Sequence, residues 1–407
     1  MPGRRSVIAY AASLLFAVMP LTAAARVPAE PVAHPPIHAR PFATAAPTGY
    51  TPTQVRHAYG FDQLLAQNQN GSGQVIGIVD AFDDPTAASD LEVFITQFGL
   101  PQLNGLPGQP ACTVAAGPHP CFQKVFAQGK PRTNGGWALE ISLDIQWAHA
   151  IAPGADIVLE ESRDNRLGNL LGAVTGASTN HHAHAVSMSW GAADFLGESN
   201  FDQTFNVAGV TFTAASGDAG NGVLWPSSSL FVVAVGGTTL SLDASGNVMS
   251  ETAWSGSGGG ISANEAEPGY QANYPIPATN GHRGTPDVSY DADPNTGFPV
   301  FDSTPFNGQT GWFQVGGTSA GAPQWAALIA ITDEARGAAA SLSSNNLASS
   351  PEYNAGATAV YAKDYRDVMS GTNGTCGSVC TASAGWDFVT GLGSPLANNL
   401  VPFLATQ

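Results

Sequence analysis

The sequence predicts an α/β protein of three layers, with a central, mostly parallel sheet flanked by helices. Three observations carry this. Strand and helix signals alternate from Gln74 onward, the strands are short and rich in β-branched residues, and polar residues gather directly after strands at Asp80, Ser189-Trp190-Gly191 and Ser216-Gly217-Asp218. Near-continuous apolar runs suit parallel strands buried on both faces. In such sheets the ligand site lies beyond the carboxyl ends of the strands.

The elements follow in order. Thr51-Pro52-Thr53-Gln54 supplies an N-cap, a proline at the first helical position and a capping-box Gln, predicting a helix to about Tyr59. Gln74–Val79 reads as a strand ending at Asp80, and Asp84-Pro85 caps a helix over Thr86–Phe98. A helix over Trp137–His149, a strand over Asp156–Glu160 and a helix over Leu167–Ser178 continue the alternation. Strands over Ala185–Ser189 and Val210–Ala215 complete it. No internal repeat and no linker follows Tyr50, so one domain is expected over residues 50–407.

The chain has 407 residues, 47 of them Gly and 29 Pro, and a formal charge of −17 from 31 acidic and 14 basic side chains. That length can bury a large core. The charge argues against nucleic acid and anionic membranes as partners, and a surface of few, mostly acidic groups suits an acidic medium, where carboxylates become neutral. Arg4-Arg5, the apolar run Val7–Leu21 and Ala23-Ala24-Ala25 have the three parts of a secretory signal peptide over residues 1–25, which predicts an exported protein. A membrane anchor is the alternative, against which stand the short run and Pro20. Residues 26–49, rich in Pro and Ala without apolar period, read as a flexible lead-in. Cys112 with Cys121, and Cys376 with Cys380, are close pairs that read as two local disulfides in an oxidising compartment. The cluster His181, His182 and His184 lacks the companions of a zinc site.

The most informative stretch is Gly316-Gly317-Thr318-Ser319-Ala320-Gly321-Ala322-Pro323, which leads into an apolar helical run at Trp325–Ile331. Small neighbours let another backbone approach the Ser319 hydroxyl, and a helix N-terminus favours negative charge there, as a nucleophile needs. Read alone, the octet fits a Gly/Ser loop capping a helix equally well. A serine nucleophile needs a base. Glu140 and Asp144 lie four apart on the predicted helix over Trp137–His149 and therefore share a face. On a solvated face they are a tolerated polar stripe, whereas beside Ser319 paired carboxylates can pass a proton between them.

With these residues in hand, the chain from Tyr50 onward resembles the sedolisin family, the serine-carboxyl peptidases, which share the subtilisin fold and use glutamate where subtilisins use histidine. The resemblance rests on Glu140 with Asp144, Ser216-Gly217-Asp218-Ala219-Gly220, Trp225-Pro226-Ser227-Ser228-Ser229, Ala234-Val235-Gly236-Gly237-Thr238 and Pro286-Asp287-Val288. Gly317-Thr318-Ser319-Ala320 with Pro323, Gly385-Trp386-Asp387 and Thr390-Gly391-Leu392-Gly393-Ser394-Pro395 complete the ordered set.

The resemblance implies a subtilisin-like fold and a secreted endopeptidase, a monomer acting on polypeptides in acid. Ser319 would be its nucleophile, Glu140 its general base and acid, Asp144 the residue that orients Glu140, and Asp218 the oxyanion-hole donor. Asp218 donates only when protonated, and Glu140 accepts a proton in acid, where histidine is already charged. Asp80 stands where it can extend the network or cap a turn, and Ser189-Trp190-Gly191 where an extended substrate pairs by strand addition, with core packing as the alternative for Trp190. The resemblance also implies one structural calcium, held by Asp367 and Asp387 side chains and by the carbonyls of Val368, Ser383 and Gly385, an oxygen set suited to a hard cation. The family usually has a large N-terminal prodomain, where this sequence has residues 26–49 between signal and domain. Two alternatives stand beside the peptidase: a catalytically silent domain binding peptides in the same cleft, and a histidine-dependent subtilase using His149, which fits the helix face poorly.

Overall fold

The structure is a computed structural model describing residues 30–44, 46–337, 340–343, 351–357 and 361–407, with isolated positions 1 and 3. The chain divides into two units, Met1–Glu30 and Pro31–Gln407. The expected signal peptide lies outside the described residues, apart from those two positions.

In chain order the main elements are strand β1 (His38–Thr44), helix α1 (Pro52–Tyr59), β2 (Val75–Ala81), α2 (Ala87–Phe98), β3 (Phe122–Phe126), α3 (Gly135–Ile151), β4 (Asp156–Ser162) and α4 (Leu167–Thr175). They continue as β5 (Ala185–Met188), β6 (Thr211–Ala215), β7 (Val233–Leu242), β8 (Val248–Ala253), β9 (Val288–Asp291), β10 (Phe298–Phe306), β11 (Gln309–Gly316) and α5 (Gly321–Arg336). Helix α1 starts at the capping box read from the sequence: Thr51 Oγ1 accepts from the Gln54 amide at 3.4 Å, and the Thr51 amide donates to Gln54 Oε1 at 3.0 Å.

The main sheet has eight strands in the order β8-β7-β6-β5-β2-β4-β3, with β9 also paired to β7. All of its pairings are parallel except β8 on β7. Two large apolar clusters cover it, one containing Leu139, Ile141 and Trp325, the other Leu170, Trp190 and Trp225. This is the predicted three-layer α/β architecture. Strands β2, β4, β5 and β6 lie where their apolar runs place them. Strands β3, β8, β10 and β11 carry no comparable signal, because edge and hairpin positions accept polar side chains on an open face.

Helix α3 is buried along its whole length from Trp137 to Ile151. It has the sheet's core on one side and β10 on the other, where Gln146 grips Phe301 through Nε2 to carbonyl (2.7 Å) and amide to Oε1 (3.0 Å). Trp147 Nε1 donates to the Pro299 carbonyl at 3.0 Å. Both cysteine pairs form disulfides.

One region differs from its sequence expectation. From Pro31 the lead-in belongs to the compact unit rather than hanging free. Strand β1 pairs antiparallel with β11, His38 opposite Gly316 and Ala39 opposite Val315, completing a three-stranded sheet β1-β11-β10. An apolar period is not required for this, since backbone hydrogen bonds to an open strand edge hold a polar, proline-rich segment.

Candidate active site

Three parallel strands end at one edge and deliver their following residues to one place: β2 supplies Asp80, β5 leads to Ser189, and β6 leads to Asp218. Ser319 arrives from the other side, in a single tight turn over Thr318–Ala320 that runs directly into α5. It is fully buried, and its Oγ donates to the Pro36 carbonyl at 2.8 Å.

Thr318 fixes the neighbouring acid. Its amide and its hydroxyl donate to Asp218 Oδ1 at 2.8 and 2.9 Å, and Thr318 Oγ1 accepts from the Gly217 amide at 3.0 Å. Asp218 Oδ2 is buried and accepts no bond from a donor group. Gly317 has φ +125°, and a Cβ there would stand 2.3 Å from the Pro36 carbonyl oxygen and 2.5 Å from Asp218 Oδ2. Only glycine leaves room for a carbonyl between Ser319 and Asp218.

Glu140 and Asp144 project from α3 with no exposed surface, and Asp80 is equally buried. The solvated-stripe reading of the pair is thereby removed. Ser189 Oγ donates to Asp144 Oδ1 at 2.9 Å and lies 3.2 Å from the Ser319 carbonyl oxygen. Both oxygens of Glu140, both of Asp80 and Oδ2 of Asp144 are buried without a bond from a donor group. An ionised carboxylate so placed is costly, and a carboxyl that keeps its proton and shares it with its neighbour is not.

The acidities follow. Burial raises Glu140 well above the usual carboxylate range, and the charges of Asp144 and Asp80 add to it, while the Ser319 hydroxyl offsets part. Burial, with Asp80, likewise raises Asp144 against the opposing pull of Ser189 and Glu140. Burial alone raises Asp80. Asp218 is pushed up by burial to about 8, against the two Thr318 donors. Four acids around one serine therefore hold protons well above the pH at which exposed carboxyls lose them.

The lead-in occupies the cleft. His34 and Gly191 form an antiparallel bridge, the His34 amide donating to the Gly191 carbonyl at 2.9 Å and the Gly191 amide to the His34 carbonyl at 3.1 Å. This is strand addition onto the segment singled out for it in the sequence, with the chain's own residues as the added strand. Trp190 is buried and donates to the Val79 carbonyl at 2.7 Å, so its part is packing against β2. His38 Nε2 lies 3.5 Å from Asp218 Oδ2.

Sequence reasoning missed Thr318 as the holder of Asp218, the Ser189 hydroxyl as the partner of Asp144, and Pro36. The first two were legible only as neighbours of the motifs. For Pro36, the pair Pro35-Pro36 signals an extended segment but not where it docks. His149 is buried with Nε2 2.8 Å from the Pro101 carbonyl oxygen, and burial lowers its pKa to about 4. A base committed there does not serve Ser319. His181 pairs with Glu160 at 3.1 Å and His184 Nδ1 accepts from the Val75 amide at 3.0 Å, so two of the three clustered histidines are spent on structure.

Of the acids expected around calcium, Asp367 offers an unpartnered oxygen, while both oxygens of Asp387 accept bonds from its own loop. Asp367 Oδ2 accepts from the Gly385 amide at 2.9 Å, leaving Oδ1 buried and unpartnered. Asp387 Oδ2 accepts from the Ser383 amide at 2.9 Å, which ties both acids to the same loop. A second group, Asp84, Asp90 and Asp302, brings three buried carboxylates within 4.8 Å of one another elsewhere in the fold. Among the described residues, no helix is long and apolar enough to cross a membrane.

The chain is similar to kumamolisin of Bacillus sp. (strain MN-32), with 32% identity over 398 residues, 89% of this chain and 64% of that protein. It is also similar to sedolisin of Pseudomonas sp. (strain 101), at 30% identity over 367 residues, 78% of this chain and 58% of the other. It thus spans about 60% of the length of these curated relatives. Among solved structures, Pseudomonas sedolisin, a serine-carboxyl proteinase complexed with two molecules of pseudo-iodotyrostatin, superposes with a TM-score of 0.70 at 25% identity, over 89% of this chain and 100% of that one. No family model matches the chain.

Proposed function

We propose that this chain is a sedolisin-family serine-carboxyl peptidase, an exported, acid-active endopeptidase that cuts polypeptides through an acyl-enzyme on Ser319. The observation that carries the reading is a peptide carbonyl, that of Pro36, hydrogen-bonded to Ser319 Oγ and bordered by Asp218 across Gly317.

In this reading Glu140 takes the Ser319 proton as Oγ attacks the substrate carbonyl carbon, and Asp144, held by Ser189, steadies the protonated Glu140. Asp218, kept neutral by burial, donates from Oδ2 to the oxyanion. Collapse passes the proton from Glu140 to the leaving amine, and water repeats the sequence on the ester. Asp80 extends the shared-proton network behind Asp144. Substrate residues before the scissile bond would pair with Gly191, as His34 does. The enzyme would act as a monomer. Calcium at Asp367, Asp387 and the carbonyls of Val368, Ser383 and Gly385 would brace the loop and take no part in the proton transfers.

The test is the pH profile of casein hydrolysis by the purified protein, with Ser319→Ala and Glu140→Gln alongside. The expected profile peaks in acid and is lost in both variants. A peak near neutrality removes the carboxylate-base mechanism, and full activity in Ser319→Ala removes the nucleophile. An inactive protein that still binds acid-denatured casein supports the silent-domain alternative.

A further inference from the structure

The turn that carries Asp218 is held from three sides. Thr318 fixes the carboxyl itself through Oδ1. A glycine-rich loop holds the backbone around it: the Gly258 amide donates to the Gly217 carbonyl at 2.7 Å, the Gly220 amide to the Gly256 carbonyl at 2.9 Å, and Ser216 Oγ to the Gly258 carbonyl at 2.8 Å. The third hold comes from far along the chain. The Asn221 amide donates to the Asn373 carbonyl at 2.9 Å, and a Cβ on Gly220 would stand 2.5 Å from that same oxygen.

Asn373 joins three segments. Its amide donates to the Cys380 carbonyl at 3.0 Å, its carbonyl accepts from Asn221, and its Nδ2 donates to the Ser257 carbonyl at 2.8 Å, so that the buried side chain ties the Asp218 turn to the glycine-rich loop. The loop that presents it is closed at its base by the Ala382 amide, which donates to the Gly371 carbonyl at 3.1 Å, and at its tip by the Cys376–Cys380 disulfide. Cys376 is exposed and Cys380 fully buried. A Cβ on Gly374 would stand 2.8 Å from Cys380 Sγ and 3.3 Å from Asn221 Cβ, so the disulfide packs close to the turn it supports.

We propose that Asn373, held in place by the Cys376–Cys380 disulfide, is a positioning residue for the oxyanion donor Asp218. The inference rests on the peptidase reading and adds to it a residue acting through the backbone of the turn. An oxyanion donor helps only when its hydrogen points at the place where charge develops, and small displacements are costly. Thr318 binds Oδ1, so the aim of Oδ2, the oxygen that would donate, is left to the backbone that carries the side chain. A loop closed by a covalent bond presents Asn373 in one place before any substrate arrives. Burial is also what keeps the Asp218 proton, and a loosened turn admits water beside it. Among the described residues, the titratable groups facing Asp218 are His38 from β1 and Glu140 from α3, and neither belongs to this loop.

The experiment measures kcat and KM for casein against pH, with thermal unfolding alongside, for the oxidised protein, the folded protein reduced by a phosphine in acid, Cys376→Ser with Cys380→Ser, Asn373→Ala and Asn373→Asp. Reduction and the double serine variant are each expected to lower kcat about tenfold at unchanged KM, with the upper limb of the pH profile moved towards acid. Reductant adds nothing to the double serine variant, which separates this disulfide from Cys112–Cys121. Asn373→Ala loses kcat similarly. Asn373→Asp keeps it below about pH 4, where a protonated carboxyl still donates to Ser257, and falls to the alanine level as that proton is lost. Where a variant fails to fold, the reduced protein decides. An unchanged kcat in protein with all four thiols free or in folded Asn373→Ala, a rise in KM alone, or activity lost only in proportion to unfolding overturns the inference and leaves the peptidase reading standing. If the oxidised protein cuts no casein at any acid pH, both fall.

Discussion

Two buried acidic regions of this molecule are built on opposite principles. Around Arg283, Asp287 is fully matched: Oδ1 accepts from Arg283 Nη1 at 2.8 Å and from the Tyr353 hydroxyl at 2.9 Å, while Oδ2 accepts from Arg283 Nη2 at 2.5 Å and from the Ala234 amide at 2.7 Å. Around Ser319, Glu140, Asp144 and Asp80 are as deeply buried and Asp218 keeps its side chain 6% exposed, and among the described residues no cation is paired with Glu140, Asp144 or Asp80. Half-exposed His38 lies 3.5 Å from Asp218 Oδ2. The matched region tethers β9 to β7. The unmatched one stays neutral by keeping protons, and a shared proton is what a carboxyl-based reaction needs.

The largest effect that tests this contrast is chemical. Glu140→Gln is expected to lower kcat for casein by about a thousandfold or more, since the amide cannot accept the serine proton, with no loss of stability in acid. A variant that loses activity only in proportion to unfolding would show Glu140 to be structural. Arg283→Met comes next. It leaves the Asp287 charge buried without its partner and should cost about 3–5 kcal/mol in denaturant unfolding. A cost below about 1 kcal/mol would mean the two regions differ less than their geometry suggests.

The pH dependence of stability sharpens the comparison further. Asp218 is raised to about 8, as are Glu161 and Asp302, in each case chiefly by burial. The folded protein therefore binds these protons more tightly than the unfolded chain. The resulting stability is complete below about pH 4, the unfolded carboxyl range, and is lost as pH rises towards 8. Thermal unfolding should show Tm highest in acid and falling across that window. Asp218→Asn should flatten the fall by on the order of 3 kcal/mol at neutral pH while retaining an oxyanion donor, and a Tm that rises with pH would contradict the sign. The smallest effect expected is that of calcium. Chelation should remove about 2.7 kcal/mol if the ion is present at 100 times its Kd, and an unchanged Tm would exclude a working site at Asp367 and Asp387.

Much of this was legible in the chain. Runs such as Val75–Val79 and Ile157–Leu159 declare parallel strands because both faces are covered and the residues there are apolar. The serine at the head of α5 and the four-residue spacing of Glu140 and Asp144 follow from local geometry. Strands β10 and β11 were not legible, because their pairing is with each other and with β1, and a hairpin outside the main sheet tolerates the half-buried Ser303 and Gln309. Asp287 was legible only as a motif residue and Arg283 not at all, since nothing along the chain announces that they meet in a buried pair with Tyr353.

By itself, the sequence determined which residues share a strand edge or a helix face, because periods of two and 3.6 are properties of the backbone alone. Only the tertiary structure decided which face is dry. Helix α3 could have shown Glu140 and Asp144 to water, where they would be two ordinary anions. Packed between the sheet and β10 they are buried, with burial raising both acids above the usual carboxylate range, and the proline-rich lead-in, featureless as sequence, becomes the peptide whose carbonyl meets Ser319.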